Sequence, residues 1–264
     1  MMAASRMKRA QEQATAARPY SRALQSSLQK VSERTDVSLH PLLTKHDQGI
    51  DIAIVFSTDK GLCGSLNTNL FKALVKWLKA HPNGQVIAIG RKSVAFCRTF
   101  GIKIYAQFTD LPDKVNTRDI LPISSLIMRG FLDKEFRSAH ILYMDFINTL
   151  SQQLRVVQLL PLSQPETYQE VNMVVPTADS EYSFEPSAKE ILNVLLPYYV
   201  ENFLYQTLLE SRASELSARM VAMKNASENA ADLVGELKLL YNKSRQASIT
   251  TELLDITTAT LTLS

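Results

Sequence analysis

Residues Ile50–Ala80, "IDIAIVFSTDKGLCGSLNTNLFKALVKWLKA", place a β-branched apolar run, a glycine-bearing loop and a helical stretch in succession. A strand, then a glycine loop, then a helix start is where many proteins hold a phosphate. The loop "STDKGLCGSLN" lacks the phosphate-loop spacing, because its lysine precedes the glycines instead of following them. It also lacks GxGxxG, and "IAIGRKSVAFCRTFG" offers only an isolated glycine after its strand. The loop is therefore read as a strand-to-helix turn. Gly61 and Gly64 permit the tight bend, Asp59 and Lys60 are solvated, and Cys63 is a packing residue.

The same alternation continues on the C-terminal side. "GQVIAIG", "IKIYA", "AHILYMDF" and "RVVQLLPL" read as further strands, separated by helical stretches at 69–80, 92–100 and about 118–134. Near-continuous hydrophobicity and helical connections argue for an α/β domain with a largely buried sheet, over about residues 48–186.

Both flanks differ in character. Residues 1–34 carry seven Lys/Arg against two Glu, and residues 185–264 carry ten Asp/Glu against seven Lys/Arg. In the first flank Met7, Ala10, Ala14, Ala17, Leu24, Leu28 and Val31 keep a helical period, with a kink expected at Arg18-Pro19. Small residues on that stripe admit a second helix closely. In the last flank Ser187 is a candidate N-cap with Glu190 three residues on, and only Pro197 and Gly235 interrupt the helix thereafter. At 1.5 Å per residue the last flank makes a rod of about 110 Å and the first about 50 Å. An antiparallel coiled coil of the two flanks leaves 221–264 without an intrachain partner, so another protein should surround it. The expected division is 1–47 for the N-terminal helix and linker, 48–186 for the α/β domain and 187–264 for the long C-terminal helix.

Catalytic and metal chemistry finds no constellation. The four histidines are scattered, and Cys63 and Cys97 make no metal spacing. There is no GxSxG; Glu210 and Glu215 read as a solvated helix face, and Asp145 is a lone acid at a strand end. The formal charge of +3 does not argue for nucleic acid, and no apolar run reaches the length of a membrane span. Two other classes stay open on these residues alone: a nucleotide-binding α/β enzyme, and an unrelated coiled-coil scaffold. The stretch "NKSRQASITTELLDI" places Arg245, Gln246, Thr250 and Glu252 on the unpaired part of the rod, where a surrounding subunit would receive charge-assisted hydrogen bonds.

The chain resembles the gamma subunit of the F-type ATP synthase, the central rotor shaft. The matching pieces are "MAASRMKRAQ…ARPY", "STDKGLCGSLN", "YSFEPS" and "LYQTLLESRASELSARMVAMKNASENAADL…YNKSRQASITTELLDI". The resemblance implies a Rossmann-like α/β domain bracketed by the coiled coil. It implies a non-catalytic subunit that binds no cofactor, metal, nucleic acid or small-molecule substrate. Its partners would be the alpha and beta subunits of the hexamer, the epsilon subunit and the membrane c-ring, on the cytoplasmic side of a bacterial inner membrane. By the same analogy Arg245, Gln246, Thr250 and Glu252 meet loops of the catalytic subunits, and Arg219, Met1 and Met2 match a lower contact region. Family members begin roughly two dozen residues earlier, so the resemblance implies absent turns ahead of Met1. The threonine-rich tip "DITTATLTLS" is expected to fray. The cysteine insert of the chloroplast type is not seen, as in bacterial members.

Overall fold

The computed structural model describes residues 2–32, 40–112, 114–162 and 187–262. The chain divides into two compact units, Met1–Met220 and Val221–Ser264.

Strand β1 (Ile50–Phe56) is the centre of the first unit. Every residue from Asp51 to Phe56 is buried, because helices cover both faces of the sheet. Ile52, Ile54 and Phe56 point to one face, and Ala53 and Val55 to the other, as the two-residue period of a strand requires. Fully burying each large apolar side chain is worth about 1.5–3 kcal/mol. On one face α2 (Leu66–Ala80) and α3 (Arg91–Thr99) bring Leu70, Leu74, Trp77, Val94 and Cys97 against Ala53 and Val55. On the other, α4 (Thr117–Leu132) brings Ile120, Ile123, Ile127 and Phe131. Terminal helices α1 (Met2–Ser32) and α5 (Ala188–Thr262) complete that second layer through Leu24, Leu28, Leu192, Leu196, Val200 and Leu204.

The remaining strands are β2 (Gln85–Ile89), β3 (Ile104–Phe108), β4 (Phe136–Phe146) and β5 (Gln152–Leu160), in the order β3-β2-β1-β4-β5. The first three pairings are parallel, with Ile54 opposite Ile87 on one side and Ile141 on the other. The fourth is antiparallel: β4 and β5 form a hairpin closed between Asn148 and Ser151. The sheet is thus mixed. Its outer strands β3 and β5 are only partly covered, while β1 and β2 carry the buried runs.

Element boundaries shift modestly from the sequence reading. Helix α2 starts at Leu66, three residues early, because Leu66 docks on Cys63 and Met144. Helix α4 starts at Thr117, where the Asn116 backbone N–H donates to Asp119 Oδ2 at 2.8 Å, a capping-box contact. Helix α1 is continuous through Pro19 and α5 through Pro197, so neither proline ends its helix. Residue Ser187 does cap α5: its Oγ accepts from Glu190 N–H at 3.2 Å. Helix α5 reaches Thr262, with Thr257 and Thr258 hydroxyls donating to the carbonyls of Leu253 and Leu254. The exit segment 163–186, including "YSFEPS" up to Pro186, lies outside the described residues.

Two polar groups sit at the rim of this core. Burial pushes the Asp51 carboxyl up, but Arg137 and the Ser138 hydroxyl, which donates to it at 2.6 Å, outweigh that and hold it below the usual range. His140 lies against His81 and Trp77, with ring centroids 5.3 and 5.6 Å away, and burial pushes it down to about 4. Charge on His81 contributes to that lowering, while Asp51 opposes it.

Folding therefore excludes a proton that the unfolded His140 binds below its ordinary value of about 6.5. The His140 contribution to stability is complete above about 6.5 and lost as pH falls towards about 4. Thermal melts at pH 7 and pH 5 should show a drop in Tm that H140Q reduces. A second expectation concerns packing. A Cβ on Gly130 would lie 2.4 Å from the Phe136 ring, and both residues are buried. G130A should cost about 1–3 kcal/mol, read from urea unfolding.

Candidate functional site

The small-residue stripe of α1 does what its spacing predicts. Ala14 is completely buried, and Ala10, Ala14 and Ala17 pack with Leu209, Ala213 and Phe146. Side-chain bonds fix the direction of the pair. Gln11 reaches Ser217 at 3.2 Å, Arg18 reaches Glu210, and Ser21 reaches Asn202 at 2.7 Å. Residue numbers rise on α1 as they fall on α5, so the helices are antiparallel.

Glu210 is the centre of this contact. Its carboxylate is buried, yet it accepts from Arg18 Nε at 2.8 Å, Arg18 Nη2 at 2.9 Å, Gln206 Nε2 at 2.7 Å and the Phe146 N–H at 3.3 Å. Arg18 also donates to the Phe146 carbonyl and lies 3.9 Å from Asp145, which has Arg155 at 3.4 Å. The hydrogen bond to Glu210 raises the Arg18 guanidinium above its ordinary value, against the opposing effect of burial. One carboxylate thus gathers α1, α5 and the end of β4 (Figures of 2.7–2.9 Å are typical of charge-assisted bonds). Glu215 is also buried and holds Arg219 at 2.7 Å. The solvated-face reading of Glu210 and Glu215 is therefore corrected: α5 turns that face inward. Asp145, the lone acid of the sequence reading, is a member of the ion network.

The loop after β1 is built as a turn with its own internal partners. Backbone N–H groups of Arg91, Lys92 and Ser93, at the start of α3, donate to Asp59 Oδ1, the Thr58 carbonyl and Ser57 Oγ at 2.8–3.0 Å. Asp59 is thus fixed to a helix N-terminus, where a carboxylate is favoured; it is not merely solvated. Lys60 is exposed, as expected, although its carbonyl accepts from Thr58 and Arg219. Cys63 is buried against Leu66 and Met144. Gly64 has φ +58 and serves the bend, but Gly61 does not use the left-handed region. The close approach falls instead at Gly90, with φ +93, where a Cβ would meet the Ser57 carbonyl oxygen at 2.3 Å.

Between α1, this loop and α5 lies a groove of about 810 Å³ whose lining includes Arg6, Arg9, Lys60, Lys114, Arg212 and Arg219. Three carboxylates, Glu12, Asp59 and Glu215, share it, so the lining is predominantly cationic. Arg219 is held at its rim by Glu215 and by the carbonyls of Lys60 and Gly61. Met1 and the side chain of Met2 lie outside the described residues. In the second unit Arg245, Gln246, Thr250 and Glu252 are all exposed on α5, and the Thr250 hydroxyl donates to the Gln246 carbonyl at 2.9 Å. Among the described residues Arg245 and Glu252 make no ion pair. No group of three or more metal-ligating side chains occurs among the described residues, and no described helix is long and apolar enough to cross a membrane.

A family profile described as ATP synthase matches residues 1–263. The ATP synthase gamma chain of Polaromonas naphthalenivorans is 39% identical over 264 residues, covering 97% of this chain and 89% of the relative. That of Glaesserella parasuis is 40% identical over 260 residues, with the same coverage. The chain belongs to the ATP synthase gamma chain family. It is accordingly a central-stalk subunit and not a catalytic one. The fold agrees with that of the central stalk in the Tetrahymena thermophila mitochondrial ATP synthase, at TM-score 0.64 and 24% identity over 86% of this chain and 96% of that one. It also agrees with a chain of the Euglena gracilis mitochondrial ATP synthase, at TM-score 0.60 and 16% identity over 99% of this chain and 93% of that one.

Sequence reasoning missed the Arg18–Glu210 pair of this gamma chain. The two are 192 positions apart, and the available signal was an arginine on the α1 side of an otherwise small-residue stripe. Removing Arg18 leaves a buried carboxylate without its main partner. R18A should destabilise the chain by about 3 kcal/mol in urea unfolding, whereas R18M with E210M should recover most of that loss.

Proposed function

We propose that this gamma chain is the rotating shaft that couples the membrane ring of a proton-translocating ATP synthase to nucleotide affinity at the catalytic beta subunits. The observation that carries the reading is the surface of α5 in the second unit. Every residue from Met223 to Thr258 is exposed, and Leu237, Leu240, Tyr241, Leu253, Leu254 and Ile256 are each more than half exposed. Apolar surface of that extent on a helix favours enclosure by other chains. Enclosure by a hexamer of alpha and beta subunits is the arrangement the family suggests. The Tetrahymena relative is described with a c-ring, and the Euglena relative with F1 and a c-ring.

In this reading residues 1–47 and 187–264 form the shaft and its linker, and residues 48–186 form the domain that rests, with the epsilon subunit, on the c-ring. The chain would be a peripheral membrane protein on the cytoplasmic face of a bacterial inner membrane. Each orientation of an asymmetric shaft binds some beta-subunit conformations better than others, and so shifts their populations in turn. Arg245, Gln246, Thr250 and Glu252 meet loops of the catalytic subunits, where planar donors and carboxylates make contacts that depend on rotational angle. Arg219, with Met1 and Met2, belongs to the lower contact. The cationic groove beside Arg219 suits a partner surface bearing carboxylates.

Copurification with alpha and beta subunits tests the assembly, and its failure would count against the shaft reading. R245A combined with Q246A tests the contact. Proton-coupled ATP synthesis of the reconstituted complex should fall about tenfold, equivalent to about 1.4 kcal/mol, with the α/β domain still folded by circular dichroism. Unchanged coupled activity would remove these two residues from the interface.

A further inference from the structure

We infer that the Glu210 carboxylate is the torsional lock of this subunit, the point where twist passes between the paired terminal helices and the sheet domain. The inference rests on the shaft reading above, and it assigns a role to residues that touch no other subunit in that reading.

The apolar contact between the helices does not by itself fix their angle. Ala10, Ala14 and Ala17 against Leu209 and Ala213 bring the helices close, but small side chains make shallow ridges that oppose sliding and rotation only weakly. A directional contact must set the angle. A bidentate arginine–carboxylate pair is such a contact, because two parallel bonds fix both the distance and the plane of the groups. Arg18 supplies both bonds, at 2.8 and 2.9 Å. Since Glu210 is buried, rotation of α5 about its own axis would leave the charge unpaired away from water, which is costly.

The same carboxylate is tied to the sheet. The Phe146 N–H donates to Glu210, and the Phe146 carbonyl accepts from Arg18. One helical turn further along α5, the buried Ser214 hydroxyl donates to the Met144 carbonyl at 2.9 Å. Three bonds thus join the helix pair to the last residues of β4, a strand that is itself paired on both sides. Beside the apolar layer, these bonds couple twist of the sheet domain to both helices through one carboxylate, and neither helix turns alone without breaking the pair. Arg18 and Glu210 act here as positioning residues. Their effect should appear in torsional stiffness and not only in stability.

The test uses the assembled complex with the hexamer fixed to a surface and a bead attached to the sheet domain. The angular spread of the bead is recorded while the catalytic sites are arrested, for the wild type, R18K, and R18M with E210M. Lysine keeps the charge but loses the fork, and the double methionine variant keeps the volume without a buried charge. Both should widen the angular spread about twofold, while Tm stays near that of the wild type and ATP hydrolysis by the complex continues. An unchanged spread in whichever variant assembles would overturn the inference and leave the pair a purely structural contact. A wild-type complex that does not assemble, or does not rotate, would overturn the shaft reading itself and the lock with it.

Discussion

A charge held out of water organises this chain. Glu210 lies beneath α1, beside β4 and on the inner face of α5, and a carboxylate in such a place persists only if its partners are fixed. Arg18 and Gln206 supply side-chain donors, and Phe146 supplies a backbone donor. Each partner is anchored in turn: Gln206 to the Ala14 carbonyl at 3.2 Å, Arg18 to the Phe146 carbonyl, and Phe146 to its strand. The apolar contacts around it select the elements that meet, and the ionic contact selects their angle.

Much of the fold could be read along the chain because it depends on local periodicity. Ile50–Phe56 is a buried strand and the stretch from Leu66 is an amphipathic helix, since each announces its own period. The alanine stripe likewise revealed that α1 needs a close partner. What could not be read was which carboxylates face inward. Glu210, Glu215 and Asp145 look like any helix or strand acids until Arg18, Arg219 and Arg155 come within reach. Arg245, Gln246, Thr250 and Glu252 stand out in the sequence as donors and a carboxylate on an unpartnered rod, and family likeness adds only the proposed identity of what they meet, because an exposed helix face carries no geometry of its own.

The loop after β1 shows how a fold can retain the frame of a ligand site and use it otherwise. A strand ends, a glycine allows close approach, and a helix begins with its amides pointing at the gap. Here those amides meet Asp59, Thr58 and Ser57 of the chain itself. An intramolecular carboxylate occupies the place where an α/β enzyme would hold phosphate. The frame therefore stiffens the junction of two strands and two helices instead of serving a ligand.

Cys63 and Cys97 have a practical consequence. Both are buried, Cys97 completely so, and burial pushes the Cys97 thiol up to about 11, far from the thiolate that reagents attack. The described molecule is close to silent towards thiol chemistry while folded. Cysteines introduced at exposed points can carry dyes, beads or cross-linkers with the two native ones left in place, and labelling of the native pair would signal that the sheet has opened.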